Sequence, residues 1–371
     1  MTRISWDNAD ITEKLDLKLP LGVFKVLSRR SAFRQGRRVV RFAADGRENN
    51  FENEPLHTYT SIEILTRPRY PRRLRESTRV VLDGRDVDTP VGREARISSL
   101  VAALDRRLYP QRRLAGLSVD GRERATLSDM DPVGCYDTVE LVSGPVAAPR
   151  KAVVSLSIGE KFDPVMRATF PHMRRYAEKI GADFIALTEP KLFLCEPHYE
   201  MFRLFDLWDS YEQIVFVDAD ILIRQEAADI FAEVPPDKLG VFNEGRYVCN
   251  LFEEEKAMRQ CGAIDWQRGV YYNSGVIVAS YLHRDLFARP EEDELICSLA
   301  EQTTFNYRVI RDSYPVHELP VRFNCMSYCG AEMTRADFIH FAGGGFFMHD
   351  REGKRLGKKQ QILRYSRTMD A

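Results

Sequence analysis

The sequence predicts an α/β domain over residues 149–371, preceded by two smaller α+β repeats, and three observations lead to this prediction. From Ala152 onward, apolar strands alternate with helical segments, which is typical of α/β layer folds. Within the first 150 residues, the sequence matches itself at offsets of 75 to 77 residues. The charge is also divided, because residues 1–150 carry a formal charge of +6 and the remainder carries −7.

The two repeats are predicted to cover residues 1–73 and 74–148. The matching segments are residues 3–7 with 79–83, 39–48 with 114–123, and 59–65 with 136–142. In the second repeat, the apolar residues at positions 97, 100, 101 and 104 lie on one face of a helix. Each repeat therefore reads as two strands, a helix and two strands. In this order of elements the repeats resemble β-grasp, or ubiquitin-like, modules.

The composition is that of an ordinary folded protein. Of the 371 residues, 44% are hydrophobic and 29% are charged. No apolar run approaches the roughly 18 residues of a transmembrane helix, and residues 1–7 show no apolar core of a signal peptide. The seven cysteines are scattered and odd in number, so they do not suggest a disulfide framework. These features favour a cytoplasmic protein without a transmembrane segment.

Arginine dominates the basic residues of the repeats. Residues 1–150 contain 27 basic residues, and 24 of them are arginine. Nucleic-acid binding by such a segment requires interleaved aromatic residues or a known reading motif, and the sequence shows neither. The interpretations that remain are a solvated face and a patch that binds an acidic protein partner.

The most informative stretch of the second half is the apolar run at residues 214–223, which two carboxylates interrupt. Residues 214–217 predict a buried strand, and the apolar run resumes after Asp220. Because residues i and i+2 of an extended chain point the same way, Asp218 and Asp220 can converge on one point. Two hard oxygen ligands aimed together suit Mg²⁺ or Mn²⁺ and the phosphates that such ions hold. The alternative for an isolated Asp-x-Asp is a solvated turn.

The other elements of this half follow from caps and apolar spacing. Asp163 and Pro164 predict the start of a helix that ends at Gly181, because Asp is a favourable N-cap and Pro a favourable first-turn residue. A helix with an apolar face is predicted at residues 199–208, and a charged helix with a solvated face at 251–261. Strands are predicted at residues 152–158, 183–188, 239–242 and 319–324, and a further helix at 227–233.

Three later segments share a family pattern with the Asp-x-Asp strand. They are Asn273-Ser274-Gly275-Val276, Glu301-Gln302 with Asn306, and Ile339-His340-Phe341-Ala342-Gly343. In this order the four segments resemble the motifs of nucleotide-sugar glycosyltransferases with the GT-A fold, in particular those of family eight. The resemblance covers about residues 150–345, and Glu301 stands where the family has aspartate. It implies a Rossmann-like mixed sheet in this half of the chain.

The resemblance also implies roles for individual residues. Asp218, Asp220 and His340 would hold Mn²⁺ or Mg²⁺. Catalytic roles near the anomeric carbon are implied for Glu301, Gln302 and Arg203. Donor binding is implied for Ser155, Phe162, Arg203, Asp218, Asn273, Ser274, Gly275 and Gly343. The partners would be a nucleotide diphosphate-sugar, such as a UDP-sugar, and an acceptor glycan, protein or small molecule.

One departure from the family pattern follows Gly343. Relatives often continue with Lys-Pro-Trp, whereas this chain continues with Gly-Gly-Phe-Phe-Met. A phosphate-binding lysine is therefore missing from its usual place. The candidate substitutes in the sequence are Arg351 and Lys354.

Each of these residues also has an ordinary structural interpretation. His340 alone would be a core histidine, Asn273 could cap a turn, and Glu301 with Gln302 could form a polar helix face. Two further readings of the whole chain stay open: an inverting transferase with Glu301 as its base, and an inactive scaffold that binds partners through its repeats. A fragment beginning near Lys151 is predicted to fold alone, because the composition changes there.

Overall fold

The computed structural model describes most of the chain. The described residues are 2–18, 21, 24, 27–28, 31–32, 37–45, 47–48, 55–68, 74–127, 131–145, 150–159, 162–192, 194, 196–291, 294–295, 299–350 and 352–369. The predicted boundaries at residues 73 and 148 lie outside these residues, as does Arg351.

The first repeat forms a five-stranded sheet. Its strands are β1 (Arg3–Trp6), β2 (Ala9–Asp10), β3 (Arg37–Ala44), β4 (Arg47–Glu48) and β5 (Ser61–Pro68). They lie in the order β2-β1-β5-β3-β4, with β1 parallel to β5 and the other pairs antiparallel. The alternating residues Ile62 and Ile64 of β5 are buried together with Ile4 and Phe42, so one face of this sheet forms the core of the repeat.

The second repeat has the same strand order. Its elements are β6 (Arg79–Leu82), β7 (Arg85–Asp86), helix α1 (Ile97–Leu108), β8 (Arg112–Val119), β9 (Arg122–Glu123) and β10 (Thr138–Pro145). The order is β7-β6-β10-β8-β9, again with the first and last strands parallel at the centre. The predicted apolar face of α1 is buried against this sheet.

The second half of the chain has mixed α/β architecture. Its elements are β11 (Lys151–Leu156), α2 (Asp163–Lys179), β12 (Asp183–Leu187), β13 (Gln213–Asp218), β14 (Ile221–Ile223), α3 (Ile230–Glu233), β15 (Leu239–Asn243), α4 (Leu251–Cys261), β16 (Tyr272–Ser280), α5 (Ala300–Arg311), β17 (Val316–Glu318), β18 (Phe338–His340) and α6 (Lys358–Met369). The main sheet has the order β12-β11-β13-β16-β15-β17. Strand β16 is antiparallel to both of its neighbours, whereas β11, β12 and β13 are parallel.

Strand β13 shows why its sequence is continuously apolar. Ile214 and Phe216 belong to the core on one face of the sheet, and Val215 and Val217 belong to the core on the other. A strand covered on both faces has no position for polar residues until it leaves the sheet. The first carboxylate, Asp218, is the last residue of the strand.

A second, two-stranded sheet brings His340 to the same place. Strands β14 and β18 pair antiparallel, with Ile221 opposite His340. The backbone N–H of Phe341 also donates to the carbonyl oxygen of Asp220. The short turn between β13 and β14 therefore carries Asp218 and Asp220 to the end of the strand that carries His340.

Four predicted elements differ from the structure in detail. Residues Pro197–Leu207 form a 3-10 helix rather than an α-helix, and helix α3 is a single turn at Ile230–Glu233. Residues 319–324 are not a strand, since the parallel neighbour of β15 is the earlier segment β17. Helix α4 has the predicted bounds, but Glu253 and Glu254 are buried.

Two expectations about the chain as a whole can be compared with the described residues. No helix among them is both long and apolar enough to cross a membrane. The cysteines among them, at positions 135, 249, 261, 325 and 329, are all free thiols.

Candidate functional site

Asp218, Asp220 and His340 form one cluster of possible metal ligands, in which one ligand atom from each lies within 4.8 Å of the others. The His340 Nε2 atom lies 3.3 Å from Asp220 Oδ1 and 3.8 Å from Asp218 Oδ2. The histidine is buried, whereas the Asp218 side chain is 39% exposed. The cluster therefore opens to solvent on the side of Asp218.

The pKa values of the two carboxyl groups are shifted in opposite directions. Although the Asp218 side chain is partly exposed, its partial desolvation and the nearby Asp220 carboxylate raise its pKa to about 6. Burial also acts to raise the pKa of Asp220, but the charges of His340 and Lys358 outweigh it and hold that pKa below its usual value. Despite its burial, His340 has a raised pKa because the two carboxylates favour the imidazolium. A metal ion would displace this proton, so its binding should strengthen as the pH rises.

Lys358, the first residue of α6, supplies a positive charge that the sequence interpretation missed. Its ammonium group forms an ion pair with Asp220 Oδ2. Lys354, which the sequence suggested, instead closes a turn in which its backbone N–H donates to Asp350. Among the described residues, a basic side chain that pairs with the cluster therefore comes from the C-terminal helix.

A network of buried amides and carboxylates adjoins the cluster. Glu244 accepts hydrogen bonds from Asn273 Nδ2 at 3.0 Å, from Gln302 Nε2 at 2.7 Å and from the Tyr328 hydroxyl at 2.8 Å. Gln302 Oε1 accepts from the backbone N–H of Ser274 at 2.9 Å. The predicted residues Asn273, Ser274 and Gln302 therefore lie together, around a glutamate that the sequence interpretation did not select.

Glu301 lies at the edge of this network. Its Oε1 atom accepts a hydrogen bond from the Ser274 hydroxyl at 3.2 Å. Burial raises the pKa of Glu301, and the hydroxyl and nearby His198 oppose the rise. The charge of His198 also acts to lower the pKa of Asp218.

All hydrogen-bonding positions of the Asn273 amide are occupied by protein groups. Its Nδ2 group donates to Glu244 and, at 3.3 Å, to Gln302 Oε1. Its Oδ1 atom accepts from the Gly275 N–H and from Asn324 Nδ2, both at 2.9 Å. An amide group has two donors and two acceptor lone pairs, so Asn273 has no remaining position for a sugar hydroxyl.

Position 275 must be a glycine because any side chain there would collide with the His340 ring. A Cβ atom at this position would lie 2.4 Å from His340 Cε1 and 2.8 Å from Asn273 Oδ1. The family resemblance implies donor binding for this glycine. The structure gives a closer neighbour, the imidazole ring itself.

We expect Gly275→Ala to displace the His340 ring and to lower metal affinity about 10- to 100-fold, the loss typical of a disturbed metal shell. Overpacking should also cost about 1–3 kcal/mol of stability. Calorimetric titration of Mn²⁺ and a thermal melt would measure both effects. Gly116→Ala is the matched control, because its added methyl would meet only Val142, at 3.7 Å. Unchanged Mn²⁺ affinity in Gly275→Ala would show that the ring position is irrelevant to the ion.

The other predicted residues are placed as follows. Ser155 is buried on β11, and its hydroxyl has no hydrogen-bond partner among the described residues. Phe162 is exposed at the N-terminus of α2, and Gly343 has a positive φ of 56° in the turn after β18. Arg203 donates to the carbonyl oxygen of Glu189 at 2.6 Å and lies 3.9 Å from Glu200.

A comparison with known protein families finds no match, and a comparison with curated protein sequences finds none either. Among solved structures, a glycosyltransferase involved in the glycosylation of the major capsid of PBCV-1 is 14% identical, with a TM-score of 0.40 over 59% of this chain and 100% of that one. The galactosyltransferase LgtC, in complex with donor and acceptor sugar analogues, is 11% identical, with a TM-score of 0.39 over 59% and 96%. The glycosyltransferase GlyE of Streptococcus pneumoniae TIGR4 is 12% identical, with a TM-score of 0.36 over 59% and 60%. Structural similarity of this degree does not support a functional assignment. The function is therefore inferred from the geometry of the site.

Proposed function

We propose that the protein is a metal-dependent glycosyltransferase with a GT-A-type domain. It would transfer a sugar from a nucleotide diphosphate-sugar, a UDP-sugar, to an acceptor hydroxyl. The observation that carries the proposal is the convergence to within 4.8 Å of Asp218 at the end of β13, Asp220 in the turn that follows and His340 at the end of β18. Two carboxylates and an imidazole suit a divalent ion that also holds phosphate oxygens.

The donor set fits Mn²⁺ better than Mg²⁺. Mg²⁺ favours oxygen ligands in a strict octahedron, whereas a mixed set with one imidazole suits a softer ion. The ion pair of Lys358 with Asp220 supports the fit, because the cluster already attracts a cation. Asp218, Asp220 and His340 would hold the ion, which would stabilise the negative charge of the departing diphosphate.

The protein's own groups complete the proposed site. The Lys358 side chain is 37% exposed, so its ammonium group can reach a diphosphate oxygen at the opening of the cluster. We assign it the phosphate contact that the missing lysine would make. Gln302 and Glu301 would contact the sugar near the anomeric carbon, while Asn273 would act indirectly. For Ser155, Phe162, Arg203 and Gly343, a donor contact rests on the family resemblance alone.

We propose retention of the anomeric configuration, with attack on the same face that the diphosphate leaves. The inverting alternative requires a carboxylate base, and Glu301 is its candidate. The hydrogen bond from the Ser274 hydroxyl already engages one oxygen of that carboxylate. The inactive-scaffold alternative does not explain why three ligand groups converge beside a cationic lysine.

We further propose that the two N-terminal sheets are β-grasp modules. Their common strand order, with the first and last strands parallel at the centre, supports this assignment. An acidic protein partner for the arginine-rich repeats and a cytoplasmic location stay predictions.

The test of the proposed function is a panel of nucleotide-sugars with Mn²⁺, scored for donor hydrolysis. We expect one donor to be hydrolysed, activity to stop in excess chelator, and Mn²⁺ to restore it. The anomeric configuration of the first sugar released, read by NMR, separates retention from inversion. Absence of hydrolysis for every donor, with either Mn²⁺ or Mg²⁺, would favour the scaffold.

A further inference from the structure

A chain of side-chain hydrogen bonds connects Glu244 to His340 through two asparagines. Asn273 Nδ2 donates to Glu244, Asn324 Nδ2 donates to Asn273 Oδ1, and Asn324 Oδ1 lies 2.8 Å from His340 Nδ1. All four side chains are buried, and Asn324 is completely inaccessible to solvent. Neither the metal cluster nor the proposed donor contacts explain why Asn324 is there.

The donors and acceptors along this series of hydrogen bonds can be assigned in only one way. A carboxylate accepts hydrogen bonds and a backbone N–H donates them, so Glu244 and the Gly275 N–H together fix which end of the Asn273 amide faces Asn324. Asn273 therefore turns its Oδ1 atom toward Asn324, so Asn324 must donate a hydrogen bond from its Nδ2 group. The Asn324 oxygen is then left to face His340.

This arrangement determines which ring nitrogen of His340 carries a proton. Because the Asn324 oxygen can only accept, His340 Nδ1 must carry a proton. In the neutral ring the other nitrogen, Nε2, then has a lone pair, and this is the atom that lies 3.3 Å from Asp220. Without the Asn324 oxygen, Nδ1 would lose its acceptor at 2.8 Å, and the Asp220 carboxylate, 3.3 Å from Nε2, would draw the ring proton to Nε2.

We propose that Asn324 is a positioning residue that fixes the tautomer of His340, so that Nε2 stays available to a divalent ion. Glu244, Asn273 and the Gly275 N–H anchor Asn324 in the orientation that this requires. The inference rests on the proposed function only for the identity of the ligand. The tautomer itself is a property of the metal-free protein.

The first test needs no substitution. Nitrogen-15 NMR of the metal-free full-length chain, at a pH where the His340 ring is neutral, should show the proton on Nδ1. A proton on Nε2 would overturn the proposal, whatever the activity of the enzyme.

The second test compares two substitutions at one position. Asn324→Leu keeps the approximate shape but removes the acceptor, so the neutral ring should move its proton to Nε2. Affinity for Mn²⁺ in the presence of a nucleoside diphosphate should fall about 10- to 100-fold, as for other lost partners of metal-binding histidines. Asn324→Asp keeps an acceptor for Nδ1 but loses the donor to Asn273 Oδ1. It should therefore keep the tautomer and retain more of the Mn²⁺ affinity than Asn324→Leu, at some cost in stability.

The pair of variants separates positioning from packing. If Asn324 served only to fill space, leucine would be the milder change and aspartate the more damaging one, and that result would overturn the proposal. If the wild-type chain bound no Mn²⁺ with any nucleoside diphosphate, the proposed function would fail, while the NMR result would still decide the tautomer.

Discussion

Asp220→Asn is expected to abolish metal-dependent turnover while leaving the fold intact. Asp220 is the carboxylate whose pKa is held low, so it is ionised throughout the neutral range. It faces His340 through one oxygen and Lys358 through the other. An amide of nearly the same shape removes the charge that attracts both cations. The loss of Mn²⁺ affinity should exceed the roughly 10- to 100-fold that removal of an outer-shell partner costs.

Calorimetric titration of Mn²⁺ with a nucleoside diphosphate would measure this loss, beside donor hydrolysis. Asp206→Asn is the matched control, because its ion pair with Lys191, at 2.7 Å, lies at the surface away from the cluster. Both variants should melt near the wild-type temperature. Wild-type turnover by Asp220→Asn, or by the wild-type protein in excess chelator, would refute the metal assignment.

The part of the site that could be predicted from the sequence is the part with a local signal. Asp218 and Asp220 stand out because they interrupt a strand whose two faces are both buried. His340 has no such signal, and only the order of motifs within a family suggested it. The register of β14 with β18 is what brings it to the carboxylates, and this pairing depends on the folded chain.

The residues that sequence reasoning missed owe their roles to packing. Lys358 reaches Asp220 only because α6 packs beside α2, which brings a C-terminal residue to the middle of the domain. Glu244 carried a weak local signal, since it directly follows the fully buried strand β15. Asn324 had been assigned to a strand, whereas it follows a short 3-10 helix and turns its amide inward.

The contact between the second repeat and the α/β half was also not foreseen. Arg113, on β8, forms an ion pair with Glu212, donates to the Trp208 carbonyl oxygen at 3.0 Å, and lies 4.6 Å from the centre of the Tyr281 ring. Both partners of this ion pair are nearly buried, at 12% and 13% exposure. Arg106, on α1, donates to the Leu282 carbonyl oxygen at 2.9 Å.

These contacts change the expectation for a fragment that begins at Lys151. Such a fragment would remove Arg113 from Glu212 and would leave the Trp208 carbonyl with only the longer hydrogen bond from Arg284, at 3.4 Å. It would also expose the face that α1 covers. We therefore expect residues 151–371 to be clearly less stable than residues 74–371, which keep every one of these contacts. Thermal or urea unfolding of the two fragments measures the difference, and equal midpoints would restore the prediction that the α/β half folds independently.

The substitution Arg113→Ala isolates the main contact in the full-length chain. Removing Arg113 takes the charged partner from a nearly buried carboxylate, which keeps the hydrogen bond from the Arg150 backbone N–H. We expect this loss to cost about 3 kcal/mol of unfolding free energy. Arg79→Ala is the matched control within the same repeat, because its pair with Asp86 is more than half exposed on both sides and should contribute less than about 1 kcal/mol.

If the two substitutions cost the same in urea unfolding, the second repeat is only tethered to the α/β half. A large difference would mean that the second repeat is part of the stable structure of the α/β half.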